Sequence, residues 1–204
     1  MTAGTAPATT DRSDFRHILV SGTRLGAAVG AAVIVYLLVS RVVPTGIVQA
    51  VLQTAVVLAA AVAAAFLPAQ WTMARGTQGI AAAAAVGLWG TIVFMAIDIV
   101  VLRPLKAYPW TWDAVGGGST WWYLPIWWML GTFLAWMGGM LTAGRAARGG
   151  PMSLAALALP VLGGAVAVAI LLRLALPIYL PVAAGASFAL VLTVIAVVAI
   201  ARKA

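Results

Sequence analysis

The chain has no cysteine, no glutamate and no asparagine, and it has a single histidine. Without cysteine there is neither a disulfide framework nor a thiolate nucleophile. Without asparagine there is no acceptor for N-linked glycosylation. The lone His17 and four acidic residues, all aspartate, leave too few side chains for a protein-built metal site or for paired acid–base work. The expectation is therefore a protein that is not an enzyme and holds no metal or cofactor. Charge of either sign is also scarce, at 8% of residues.

What is present is apolar. Hydrophobic residues make up 64% of the 204, and mean hydropathy is +1.10. So few polar side chains cannot clothe a soluble core of this size, which points to a bilayer as the solvent. A spanning helix needs about 20 apolar residues, and six runs qualify: 25–43, 46–69, 80–102, 121–143, 154–172 and 178–201. The fold class expected is all-α, a polytopic bundle of six membrane-spanning helices, with a polar segment 1–24 before it and a tail 202–204 after it. The first run is longer than a signal-peptide core and lacks a small-residue cleavage motif before Arg41, so it reads as a retained helix. The two halves show no matching broken helices of the kind that mark inverted-repeat transporters.

Six crossings put both termini on one side. That side collects Arg12, Arg16, Arg24, Arg75, Arg145, Arg148, Arg202 and Lys203, against Arg41, Arg103, Lys106 and Arg173 on the other. Positive residues concentrate on the cytoplasmic side, so both termini are expected there, in a multi-pass protein of the inner (cytoplasmic) membrane. The net charge of +8 is scattered between apolar runs instead of forming a patch, which argues against a nucleic-acid partner.

Seven of the nine tryptophans fall between Ala107 and Trp136. Trp110, Trp112, Trp121, Trp122, Trp127 and Trp128 lie in or just below the outer loop 103–120, where an indole keeps its ring in the acyl boundary and its N–H near water; an aromatic belt explains most of them. Trp136, about 12 Å further along the helix at 1.5 Å per residue, is expected to pack against another helix. With Asp113 and Gly116-Gly117-Gly118, the loop also has the makings of a lid over the outer bundle, although belt and connector are the favoured reading.

Few polar residues fall inside the spans. Asp98 is the single acid there, and a carboxylate in hydrocarbon needs a partner or a proton. Arg103, five residues on, lies about 140° around a regular α-helix, so Arg41 and Arg173 at the ends of other spans are the partners expected. Gln49 and Gln53 share one helix face and seek interhelical hydrogen bonds. These five suggest a polar cluster in the outer half of the membrane, more readily glue between helices than a ligand site. His17 is expected at the surface or against head groups.

Small residues supply close-packing faces: Gly26 and Gly30 in the first span, the run Ala81–Ala85, and the pairs Gly138-Gly139 and Gly163-Gly164. Taken together, the expectation is an accessory or scaffolding subunit of a larger membrane assembly, its partners the lipid bilayer and other membrane subunits. The alternatives are a small-solute transport or substrate-capture component with an outward-facing polar site, and a lipid- or pigment-handling protein.

Overall fold

A computed structural model describes residues 12–105, 107 and 123–201. The described residues are helical, without strand, and contain six helices long and apolar enough to cross a membrane, the architecture of a multi-pass membrane protein. They are α1 (Phe15–Val42), α2 (Ile47–Trp71), α3 (Thr77–Ile97, prolonged by a π-helical turn, Asp98–Leu102), α4 (Tyr123–Ala146), α5 (Leu154–Ala175) and α6 (Leu180–Ala201).

Five of the six agree with the apolar runs to within a few residues; α1 does not. It starts at Phe15, in the segment expected to precede the bundle, because Asp14 caps it: the carboxylate accepts from the His17 amide at 2.9 Å. At 28 residues α1 is about 42 Å long, roughly two turns more than a ~30 Å hydrocarbon core requires. The extra turns carry the polar residues Arg16, His17, Ser21 and Thr23, and they are tied down. His17 Nε2 lies 2.9 Å from the Trp71 carbonyl, which can only accept, so that nitrogen carries the proton. The Arg12 amide donates to the Thr72 carbonyl at 3.1 Å, and Trp89 Nε1 donates to Thr23 Oγ1 at 3.1 Å. His17 is thus a half-buried clasp between α1 and α2 as well as a surface group.

The helices alternate in direction and form a bundle with two ends. The proximal end is where α1 begins and α6 finishes; the distal end is where α3 finishes and α4 begins. Around the bundle α1 packs on α3, α3 on α4, α4 on α6 and α6 on α5, while α2 touches all five others. The main core gathers Ala65 and Phe66 of α2, Leu141 of α4, Leu157 of α5, and Phe188 and Leu192 of α6.

Lipid is as apolar as leucine, so helices in it associate through close packing instead of hydrophobic expulsion. The small residues do this here, within the chain. A Cβ placed on Gly138 would stand 1.8 Å from the Ala65 carbonyl oxygen, and one on Gly26 2.5 Å from that of Gly90. Gly87 and Gly131 form a third such seam, between α3 and α4. Of the other glycines expected at helix contacts, Gly164 is closed by Val191, Gly30 and Gly139 meet their neighbours at ordinary distance, and Gly163 meets nothing.

Candidate functional site at the distal end

The distal polar residues separate into two groups. The first is built on Gln49 and Gln53, which one turn of α2 brings onto the same face. Gln49 Nε2 donates to the carbonyls of Ser40 at 3.1 Å and Val43 at 3.0 Å, in the last turn of α1, where a helix leaves carbonyls without amide partners. Gln53 Nε2 donates to Ser40 Oγ at 2.6 Å, and Ser40 Oγ donates to the Tyr36 carbonyl at 3.0 Å. The Tyr179 hydroxyl, from the turn between α5 and α6, donates to Gln53 Oε1, and it lies beside the hydroxyl of Tyr36. One directed relay therefore runs from Tyr179 through Gln53 and Ser40 to the α1 backbone. Gln49 and Gln53 are buried, and their carboxamide nitrogens donate to the last turns of α1.

The second group is an ion pair. Asp98, its side chain 3% exposed, accepts from Arg103 Nε at 3.0 Å. The sequence spacing pointed away from this pairing and toward Arg41 or Arg173. The difference lies in the backbone. Residues 98–102 form a π-turn, and the Arg103 amide donates to the Asp98 carbonyl at 2.9 Å, an i→i+5 bond. Five residues then come round to about one full turn, so positions i and i+5 share a side. A second wide turn follows, with the Ala107 amide on the Leu102 carbonyl at 2.9 Å. Arg41 closes this segment by donating to the Ala107 carbonyl at 2.9 Å. Arg173 is exposed and has no hydrogen-bonding or ion-pair partner among the described residues.

The five residues expected to cluster thus share an end but not a site. Ser40 and Arg41 are neighbours, the first serving the glutamine group and the second the α3 extension, so the last turn of α1 joins the two. Ser40, Tyr36 and Tyr179 were not anticipated. A hydroxyl-bearing aromatic at a hairpin tip, beside Pro177, was the available signal for Tyr179.

Trp127 packs edge-on against Phe94, ring centroids 6.2 Å apart, and Trp127 and Trp128 remain partly exposed. Trp136, expected to pack against another helix, is 47% exposed and lies off the inward stripe of α4. The inward stripe of α4 is taken by Gly131, Ala135 and Gly138, closed against the backbones of α2 and α3, and leaves no room for an indole. Trp110, Trp112, Asp113, Trp121 and Trp122 lie outside the described residues, as does the glycine run.

Chemically, the arrangement holds helices in register. Among the described residues no three His, Asp or Glu side chains converge. No protein-family model, curated protein or solved structure matches the chain.

Proposed function

We propose that this protein is a non-enzymatic subunit of a larger membrane assembly, a six-helix bundle that holds a partner chain in the inner membrane with its own termini in the cytoplasm. The orientation rests on the eight-to-four distribution of basic residues. The partner contact rests on α5. Most of the small-residue seams are closed inside the chain, but α5 packs chiefly on α6, and its outer face carries Pro160, Gly163 and Ala167, all exposed. A Cβ on Gly163 would touch nothing. The spacing Gly163-x-x-x-Ala167 lets a second backbone come close, as the Gly26 and Gly138 seams do internally.

The test is recovery of a stoichiometric partner in mild detergent. Gly163→Ile and Ala167→Ile should release that partner while leaving thermal unfolding of the isolated chain unchanged, since both side chains point outward. Recovery of the wild-type chain alone would overturn the proposal.

A further inference from the structure

The proximal end carries an open cleft of about 410 Å³. Gln70, Met73 and Arg75 line it from the end of α2 and the turn beyond, Thr142 from α4, and Ser153 and Leu154 from the start of α5. Its walls are mostly apolar, with polar groups in the minority. Thr142 spends its hydroxyl proton on the Gly138 carbonyl, and Ser153 Oγ accepts from the Ala156 amide. The Gln70 carboxamide has no hydrogen-bonding partner among the described residues. Arg75 has a partner within the chain, but a guanidinium has five donors in a fork that fits phosphate oxygens, so it serves a second acceptor without giving up the first. Arg145, one turn beyond Thr142 on α4, donates to the Ala156 carbonyl. Among the described residues at this end the sole acid is Asp14, which is engaged as the cap of α1.

An apolar-walled cleft with cationic and amide donors suits an amphiphilic anion better than a fully hydrated one. Both ends of a spanning bundle lie at head-group depth, so this placement does not depend on which way the chain is inserted. Met73 and Leu154, both exposed apolar side chains, line the cleft and offer acyl groups a surface to lie against.

We propose that this cleft binds one anionic phospholipid, its phosphate held by Arg75 and Gln70 and its glycerol and upper acyl groups against Met73 and Leu154. The site is separate from the α5 face and stands or falls without it.

The experiment uses the full chain in neutral detergent, titrated with phosphatidylglycerol, with phosphatidylcholine of the same acyl chains, and with inorganic phosphate. Thermal unfolding and native mass spectrometry are the readouts. Phosphatidylglycerol is expected to raise the unfolding temperature and to persist as one bound lipid. Arg75→Gln should weaken it at least about tenfold, the effect of losing a charge-assisted hydrogen bond. Leu154→Trp, which fills the cleft without altering charge, should also abolish the response, while Arg24→Gln, on an exposed turn of α1, should leave it intact. An equal response to phosphatidylcholine, or to phosphate alone, would overturn the proposal. So would an Arg24→Gln loss as large as that of Arg75→Gln, because the lipid would then be reading general charge.

Discussion

The two ends of the bundle differ in what their polar side chains bond to. At the distal end the polar side chains cross-link helices: Gln49 and Gln53 to α1, Tyr179 to α2, Arg41 to the extension of α3. At the proximal end they mostly reach backbone groups, His17 the Trp71 carbonyl of α2 and Arg145 the Ala156 carbonyl of α5. Arg148 donates to the Ala199 carbonyl in the last turn of α6 at 3.1 Å, and Asp14 and Ser153 cap the starts of α1 and α5. A cross-link specifies which helices are neighbours, and a cap stabilises one helix whatever its neighbours are. Neighbouring helices are therefore cross-linked at both ends, but the side-chain relay and the ion pair lie at the distal end and the open cleft at the proximal one.

The sharpest way to break this comparison is at Asp98. Asp98→Leu leaves a mostly buried guanidinium without its ion-pair partner, which should cost about 3 kcal/mol by analogy with other broken buried pairs. The double variant Asp98→Leu/Arg103→Leu should recover most of that loss, because apolar replacement of a whole buried pair is often neutral. Denaturant titration in detergent micelles measures both. Equal loss in the single and double variants would show that Asp98 works through groups other than Arg103.

A smaller effect is expected at Gln53. Gln53→Leu removes its bonds to Ser40 and Tyr179, and interhelical hydrogen bonds in membranes are each worth about 0.6 kcal/mol on average. The expected loss is therefore about 1 kcal/mol. Tyr179→Phe should cost about half of it alone and nothing further when Gln53 is already leucine. Additive losses in the double-mutant cycle would mean that the relay is two independent contacts.

How far the sequence carries can be judged residue by residue. The helix count was legible because hydrocarbon thickness imposes a length and because Pro44, Gly46 and the charged turns interrupt the runs. The shared face of Gln49 and Gln53 was legible because it depends on helical periodicity alone. Their partners were not, since Ser40 and Tyr179 arrive from 13 and 126 residues away through tertiary packing. The Asp98–Arg103 pair was hidden by the assumption of 100° per residue, which a π-turn violates. Gly138 and Gly163 look alike in sequence, each beside another glycine in an apolar run, yet one meets a backbone and the other is exposed with open space before it. Local composition cannot separate them because the distinction belongs to the neighbouring helix.

A small gain is expected at the proximal end. α2 closes with the Ala74 amide on the Ala69 carbonyl at 2.9 Å and the Met73 amide on the Gln70 carbonyl at 3.2 Å, a pattern that places Met73 in the left-handed region at φ 49°. Glycine is the usual residue there, because a Cβ crowds the following carbonyl. The α4 terminus, which closes in the same way, does have glycine, at Gly149 with φ 64°. Met73→Gly should therefore stabilise the chain by roughly 0.5–1 kcal/mol in the same denaturant titration. The Met73 side chain is also one wall of the cleft, so the gain in stability should come with weaker retention of phosphatidylglycerol. A variant that is more stable and binds lipid as well as wild type would separate the strain at Met73 from the cleft, and a less stable one would show that the methionine packing outweighs its backbone cost.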